Sequence, residues 1–538
     1  MKMKLRYRYL VFASAVDQPM LTIKVWQGTA CIQTINAQLC LPDYSKSREY
    51  FVDMGIYQGE EVDIRLEVAK DYNPAGKYVL PGTAELEMLC ETIRNEENAP
   101  ADTAQLRPLI RYTPQCGWMN DPNGCIWHDG KYHLGYQFSP GTTTACWGIN
   151  WGHAVSENLY DWTEQAPIIR TGGNSGGAWK RTDNGNLCIC HGCGIFESDD
   201  GGYNYKSINA EMPYVGDPKV IWHEESQRYV MVAQRPEAHG FRDFNTLKFE
   251  TSSDLIHWHH EGEISGFHEC PDMFRCPDLV NGGERWVLTC GNGTYHIGDF
   301  DGHVFTPDPM PDDRLDKFPE APFPDMYYMV YGDHTWSVPE NGVKSHRGKA
   351  YTFQVFQNVP EGRCVRIGWM WVYFAAMGEG YNQCLTVPQD LYIKQTGIGV
   401  RMCAQPAGEI EQLYQNHAEE ATCVVAKGKA FDCKLEMDIT QIAHIGKYTF
   451  RYLASEKKLQ VCPLNAPAFT ILFIPLNDRI KIRSVWDIGS VEFFIGEGEV
   501  YLPLPTGDYY SEELHVSVEG DGDSNIETQS LRRAVYKH

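Results

Sequence analysis

The chain has 538 residues, 43% hydrophobic and 12% aromatic, a composition typical of packed domains and not of disorder. Its formal net charge of −24 argues against binding nucleic acid or another polyanion, because phosphate backbones are held by basic surfaces. A neutral ligand such as a sugar suits this charge, and 14 Trp and 30 Tyr residues supply flat apolar faces for sugar rings. The length favours about two to four domains.

Residues 1–95 predict a small N-terminal β domain. Basic residues precede a short apolar stretch, as in a signal peptide, but residues 4–9 alternate as a strand does. We therefore interpret them as the first strand of a folded domain and expect a cytoplasmic protein, with secretion as the alternative. No stretch reaches the roughly 20 apolar residues that cross a bilayer, so no membrane partner is expected. Carbohydrate binding and homo-oligomerisation are the two roles considered for this domain.

The remaining elements also predict strands. Residues 96–107 are polar and interrupted by Ala and Pro, as linkers are. From 108 to 405, short aromatic-rich strands such as "KYHLGYQF" and "RCVRIGWMWVYF" end in turn residues, which favours a β-propeller over a sandwich. After "AGEIEQLY", a plausible helical turn, residues 406–538 alternate again and predict a C-terminal β-sandwich, a second possible oligomer contact. The predicted class is all-β throughout.

Eighteen cysteines are numerous, but several lie in apolar runs and indicate buried thiols, namely Cys40, Cys90, Cys290 and Cys364. The densest group is "CICHGC", Cys188 to Cys193. A zinc site there is the less favoured interpretation, because no second Cys/His pair follows at finger-like spacing. No metal and no cofactor are predicted.

Three acidic residues of the central domain stand beside Pro or Cys among apolar neighbours: Asp121 in "WMNDPNG", Asp217 in "YVGDPKVIW" and Glu269 in "FHECPDMF". Asp-Pro and Asn-Gly are turn dipeptides, so a surface turn is the alternative for Asp121. A carboxylate in an apolar setting is partly desolvated, which raises its pKa. Glycoside cleavage needs two carboxyl groups of divergent pKa, one ionised to attack and one protonated to assist the leaving oxygen.

These motifs resemble the signature of glycoside hydrolase family 32, the invertases, inulinases and levanases. The resemblance covers about residues 108–538 and includes "CWGINWGHAVSENLYDW" and "IRSVWDIGSVEFFIGEGE". It implies a five-bladed β-propeller followed by a β-sandwich, whereas the N-terminal domain is not part of the common family core. It also implies a retaining β-fructosidase, a hydrolase of sucrose and short fructooligosaccharides or fructans.

The resemblance assigns the catalytic residues one by one. Asp121 becomes the nucleophile, Glu269 the general acid and then base, and Asp217 the residue that holds fructose hydroxyls at the transition state. Four residues fall where the family lines the fructose pocket: Asn120, Gln137, Trp147 and Ser175. For Ser175 ordinary packing is an equally open interpretation, because "NSGGA" departs from the family's usual context.

The sequence departs from the family at Gly216, which replaces the arginine of the family's "RDP" motif. Loss of a charged donor costs about 1.5–3 kcal/mol unless another group replaces it. Arg275 is one candidate replacement, whereas "FRDF", Phe241 to Phe244, lacks the following proline. The gap raises two alternatives, an enzyme for a substituted or cyclic fructoside and an inactive sugar-binding homologue. Retention of Asp121 and Glu269 argues against the inactive homologue. A third alternative is a fructosyl transferase, which differs only in that a sugar and not water takes the fructosyl group.

Overall fold

The computed structural model describes residues 1–69, 73, 76–144, 150–192, 194–210, 216–236, 242–309 and 343–537, without the side chains at 236 and 242–245. The described residues form an all-β protein, as the sequence predicts, with an N-terminal two-sheet domain, a propeller of five sheets and a C-terminal sandwich. One short α-helix, Thr83–Glu91, lies where only strands were expected. The Glu85 side chain accepts a 2.7 Å hydrogen bond from the Gly82 backbone N–H and caps its first turn.

The N-terminal domain is built from strands whose apolar residues alternate. Leu21, Ile23 and Val25 are fully buried while the residues between them are partly exposed, which is the pattern of a half-buried strand. The strand predicted at residues 4–9 is wrong, because the strands in this region are Lys2–Lys4 and Tyr9–Ser14. All six residues of Tyr9–Ser14 are buried. In sheet order the strands are Lys2–Lys4, Glu61–Val68, Leu21–Gln27 and Ala30–Ala37, and in the second sheet Arg48–Asp53, Tyr9–Ser14 and Arg94–Glu96.

Five sheets follow, each with its first strand innermost and its neighbours antiparallel. The first strands of consecutive sheets contact one another in a closed cycle, which is the geometry of a five-bladed propeller. Blades 1 to 3 comprise Gly117–His128, Lys131–Ser139, Asn150–Ser156 and Trp162–Ile169; Ala178–Lys180, Leu187–His191, Gly194–Ser198 and Lys206–Ser207; and Gly216–His223, Arg228–Pro236, Arg242–Ser252 and His259–Ser265. Blades 4 and 5 comprise Asp272–Pro277, Glu284–Thr289, Tyr295–Phe300 and Phe305–Pro307; and Ala350–Val355, Val365–Met370, Gln389–Thr396 and Gly399–Pro406, with Cys384–Leu385 pairing alongside.

Two short strands join blade 1 to distant parts of the chain. Tyr381–Asn382 pairs in parallel with the inner strand, and Tyr536–Lys537 pairs in parallel with the outer strand. The short 3₁₀ helices are Gly55–Tyr57, Pro360–Gly362, Phe374–Met377 and Gly408–Leu413, the last of which is the turn predicted in "AGEIEQLY".

The C-terminal sandwich consists of two six-stranded sheets around one apolar core. It is tied to the propeller by Arg111, which is fully buried and lies 2.9 Å from Glu492 and 3.6 Å from Asp487. The strands in sheet order are Tyr414–Glu420, Ser524–Leu531, Phe431–Asp438, Arg479–Asp487, Ser490–Ile495 and Val500–Pro505, and then Cys423–Lys427, Glu513–Glu519, Ile442–Ile445, Tyr448–Leu453, Lys458–Pro463 and Phe469–Leu472.

Candidate active site

Each blade brings one polar side chain to the same end of the propeller channel. These residues lie within, or a few residues before, the innermost strand of their blade, and those five strands form a closed ring. The beginnings of the inner strands therefore meet at one mouth, where residues far apart in sequence can act together. In blade order the residues are Asp121, Ser175, Asp217, Glu269 and Tyr351.

Asp121 lies in a strand and not in the surface turn that its dipeptides allow. The inner strand Gly117–His128 is continuous, although its register shifts twice, between Met119 and Pro122 and between Asn123 and Ile126. Asp121 falls at the first irregularity and is 7% exposed. The turn-forming residues thus produce bulges, which change the direction in which a side chain of a strand points.

The Asp121 carboxylate has one oxygen held and one oxygen free. The Ser175 hydroxyl donates a hydrogen bond of 2.7 Å to Oδ2. Oδ1 is buried and has no hydrogen-bond partner among the described residues. Burial raises the pKa of Asp121 to about 7; the Ser175 hydrogen bond opposes this, and the charges of Glu269 and Asp217 add to it. A carboxylate with a free, desolvated oxygen is a chemically strong nucleophile once ionised.

A row of amide and hydroxyl groups fixes the direction of the Ser175 hydrogen bond. Trp118 Nε1 donates to Asn120 Oδ1 at 3.0 Å, and Asn120 Nδ2 donates to Gln137 Oε1. Gln137 Nε2 then donates to Ser175 Oγ at 2.9 Å. Because that oxygen already accepts a hydrogen bond from Gln137, the proton of the Ser175 hydroxyl is directed at Asp121. The structure thus brings three of the four predicted pocket residues together, and Trp147 lies outside the described residues.

The unusual "NSGGA" context of Ser175 has a steric explanation. A Cβ on Gly176 would collide with the backbone oxygen of Cys190 in the next strand. A Cβ on Gly177 would lie 2.6 Å from Cδ of Lys219 in the next blade. Gly176 therefore lets this segment lie close to the next strand of its own blade, and Gly177 lets it lie close to blade 3. The link to blade 1 is a 3.0 Å hydrogen bond that the Gly176 N–H donates to Asn123 Oδ1.

Asp217 and Cys270 both have left-handed backbone conformations, with φ of 47° and 55°. Such conformations are costly for residues other than glycine and are concentrated at functional sites. Cys270 Sγ lies 3.8 Å from Asp121 Oδ2 and 3.7 Å from Asp217 Oδ2. Burial and the carboxylates of Asp217, Asp121 and Glu269 raise the pKa of the Cys270 thiol, so it stays a neutral weak donor between them.

Glu269 is half-buried and contacts an aromatic wall. Tyr351 donates a hydrogen bond of 3.0 Å from its hydroxyl to Glu269 Oε1. The Tyr351 ring lies 6.5 Å from both Trp369 and Trp371, and the Trp369 ring lies 6.2 Å from Trp118. Neither Tyr351 nor Cys270 is predicted from the sequence. Cys270 adjoins Glu269 within "ECP", but Tyr351 has no local signal.

Gly216 is buried and begins the inner strand of blade 3, opposite Gln234. Arg275 does not occupy the place of the family's arginine, because its side chain pairs with Glu225 and lies over the ring of Trp286 at 4.7 Å. Phe241 and the side chains of 242–244 lie outside the described residues, so the "FRDF" segment is not placed.

A buried cation does lie in the channel wall below the carboxylates. Lys219 Nζ is 3.1 Å from Asp272 Oδ1, and both side chains are 1% exposed. These residues follow Asp217 and Glu269 along the inner strands of blades 3 and 4. The ion pair therefore links the two blades that carry the second and third acidic residues.

The described residues contain no cluster of His, Cys, Asp and Glu side chains arranged to hold a metal ion. Cys188 and Cys190 are buried free thiols, as are Cys40, Cys90, Cys290 and Cys364, while Cys193 lies outside the described residues. None of the helices described here has the length and apolar character needed to cross a bilayer.

Comparison with known proteins places this chain in one family. The description "Glycosyl hydrolases family 32 N-terminal domain" matches residues 111–189 and 204–406, which is more than half of the chain. The chain therefore belongs to glycosyl hydrolase family 32. The match covers the propeller and begins after the N-terminal domain.

Named relatives agree with this family. The levanase of Bacillus subtilis (strain 168) is 26% identical over 478 residues, and the alignment covers 73% of this chain and 65% of the levanase. The chain thus spans about two thirds of that relative's length. The crystal structure of exo-inulinase from Aspergillus awamori superposes with a TM-score of 0.63 and 20% identity, covering 80% of this chain and 99% of the inulinase. The structure of a fructofuranosidase from Schwanniomyces occidentalis complexed with fructose superposes with a TM-score of 0.63 and 18% identity, covering 81% of this chain and 100% of the fructofuranosidase.

Proposed function

We propose that the protein is a retaining β-fructosidase that hydrolyses terminal β-D-fructofuranosyl bonds of sucrose and short fructooligosaccharides or fructans. The observation that carries this proposal is the buried Asp121, with one free carboxylate oxygen, beside the half-buried Glu269. Its relatives named as levanase and exo-inulinase support the substrate class. The acidic net charge of the protein suits a neutral substrate.

In the first step, Asp121 Oδ1 attacks the anomeric carbon of fructose while the bond to the leaving oxygen breaks. Glu269 gives its proton to that oxygen, so the leaving sugar departs as a neutral alcohol. The product is an ester between fructose and Asp121. Asp217 holds fructose hydroxyls while positive charge develops on the ring.

In the second step, Glu269 acts as a base and removes a proton from water, and the resulting oxygen attacks the anomeric carbon. The ester bond to Asp121 breaks, fructose leaves, and both carboxyl groups return to their first protonation states. Two inversions give net retention. A sugar hydroxyl in place of water would give a transferase, and free fructose as opposed to longer or cyclic products distinguishes the two reactions.

The test compares the wild-type protein with Glu269→Gln on sucrose and on an aryl fructoside whose leaving group needs no proton. The variant should lose sucrose hydrolysis, yet form a fructosyl ester from the aryl fructoside that mass spectrometry detects on Asp121. Glu263→Gln is the matched control, because Glu263 is exposed and pairs with Arg235. Equal loss on both substrates, or initial release of the inverted fructose anomer, would contradict the proposal.

A second candidate substrate follows from Gly216, which has no side chain at the position where the family has an arginine. We propose that the space left by the missing side chain admits a substituted or cyclic fructoside, since Arg275 is engaged elsewhere. Gly216→Arg should then improve turnover of sucrose and suppress cleavage of the bulkier fructoside. A uniform loss of activity on every substrate would show that another cation already fills the space.

A further inference from the structure

The N-terminal domain lies at the mouth of the candidate active site. Two segments of the propeller border this mouth, 140–144 and 374–382, and together they are called the rim here. Segment 140–144 follows the strand that carries Gln137, and segment 374–382 ends in Tyr381–Asn382, which pairs with Gly117 and Trp118. Both are thus next to residues of the pocket. Asn382 Nδ2 donates a hydrogen bond of 3.0 Å to the backbone oxygen of Thr143, which joins the two segments.

The first rim segment is bonded to the N-terminal domain by buried groups. Ser14 Oγ donates a hydrogen bond of 2.9 Å to the backbone oxygen of Gly141. Thr142 Oγ1 donates one of 2.9 Å to Gln38 Oε1. The fit is close, because a Cβ on Gly141 would lie 2.6 Å from the backbone oxygen of Asn36. The position of this segment is therefore set by the N-terminal domain.

The second rim segment is bonded to the same domain. Arg48 Nη2 donates a hydrogen bond to the backbone oxygen of Gly378. A groove of about 470 Å³ adjoins this contact and is lined by polar groups of both domains, including Lys46, Arg48, Asp102 and Gln115. Cys116, another lining residue, is five residues before Asp121, so the Cα atoms of these two residues are at most about 17 Å apart along the strand.

The second rim segment continues from the wall that holds Glu269, the proposed acid. An acid that protonates the leaving oxygen faces the leaving group, and Glu269 is held by Tyr351. From Tyr351 the aromatic wall continues through Trp371, and the chain then passes Tyr373 and enters the second rim segment. The sugar beyond the scissile bond therefore approaches a surface that the N-terminal domain supports.

We propose that the N-terminal domain builds the leaving-group side of the active-site mouth, and that the groove beside Arg48 accepts the remote units of a neutral, hydroxyl-rich oligosaccharide. Ser14 and Arg48 are the positioning residues that hold the rim in place. This inference rests on the proposed fructosidase function. The N-terminal domain, which lies outside the family match, would thereby select substrates by their chain length.

The test measures kcat and KM for sucrose, a fructan trisaccharide and a fructan pentasaccharide. In the double variant Ser14→Ala/Arg48→Ala, KM for the pentasaccharide should rise about three- to tenfold with kcat unchanged, the equivalent of about one hydrogen bond, because the lost bonds hold the rim and not the sugar itself. The change in KM should become smaller as the substrate becomes shorter, and it should be within about twofold for sucrose. Arg48→Lys combined with Ser14→Ala should recover part of the loss that the double alanine variant shows. Arg65→Ala is the matched control, since Arg65 is exposed and pairs with Asp63 in the same domain.

Two results would overturn the inference. The first is an equal change in KM for sucrose and pentasaccharide, and the second is the same change in Arg65→Ala. If the double variant fails to fold, each single variant is measured, and the single variants must show the same dependence on chain length. A wild-type protein that cleaves none of the three substrates would refute the proposed function instead, so the two failures are distinguishable.

Discussion

Replacement of Asp121 by Asn should stabilise the folded protein, and the gain should grow with pH. Burial raises the pKa of Asp121 from its ordinary value of 3.8 to about 7. Because the folded-state pKa lies above the unfolded-state value, protonated Asp121 contributes stability to the folded protein. This contribution is present in full below about pH 4 and is lost as the pH rises through about 7. At about 1.36 kcal/mol per pKa unit, folding with an ionised Asp121 costs about 4 kcal/mol above neutral pH.

The measurement is the free energy of unfolding of both proteins, obtained from thermal unfolding at pH 5 and pH 8 at one salt concentration. Asn is isosteric, keeps an acceptor for the Ser175 hydroxyl and carries no charge. Its advantage in unfolding free energy should be larger at pH 8 than at pH 5 by about 2–3 kcal/mol. Asp301→Asn provides a control, because hydrogen bonds from the backbone of Val304 and His303 lower the pKa of Asp301. Asp301 is therefore ionised in the folded and unfolded states at both pH values, and its replacement should lower stability equally at pH 5 and pH 8. A pH-independent difference for Asp121→Asn would refute the reasoning.

Two further predictions concern the groups around this carboxylate. Ser175→Ala should move the ascending limb of the pH profile of kcat/KM to higher pH by about one to two units, because the Ser175 hydroxyl stabilises the ionised nucleophile. Ser198→Ala is the control and should leave this limb in place, because Ser198 is equally buried but bonds Asp200 in a turn. Lys219→Met should lower the free energy of unfolding by about 3–5 kcal/mol, because it leaves Asp272 buried without its cation, and adding Asp272→Asn should recover part of that loss in a denaturation series.

Much of the fold is predictable because strands in this chain follow a simple alternation. "LTIKVWQ" buries every second residue, and the long aromatic strands end at turn residues as the sequence indicates. The helix Thr83–Glu91 was missed, although its Glu85 stands three residues after Gly82, the spacing of a capping box. Only Cys90 of its apolar residues is fully buried, so the periodic signal that marks a buried helix is weak.

The candidate site was only partly predictable, and the reason is the sequence distance across the propeller. Asp121, Asp217 and Glu269 carry motifs that can be recognised one at a time. Tyr351 lies 82 residues from the Glu269 that it contacts, in a strand that looks like any other. Arg275 was a reasonable candidate for the Gly216 gap from its position after "ECPDMF", but its side chain points to Glu225. Only the closed ring of blades determines which strands face one another.

The same ring explains how the protein tolerates such an unfavourable site. A buried carboxylate costs about 4 kcal/mol at neutral pH, and left-handed conformations at Asp217 and Cys270 cost on the order of 1–3 kcal/mol each. Each strained residue adjoins an inner strand that is fixed on both sides by neighbouring blades, and below them the Lys219–Asp272 pair joins blades 3 and 4. Relaxing one residue would therefore require moving a strand of the ring. The closed propeller holds the carboxylates in a position that an open sheet, free at its edges, could not maintain.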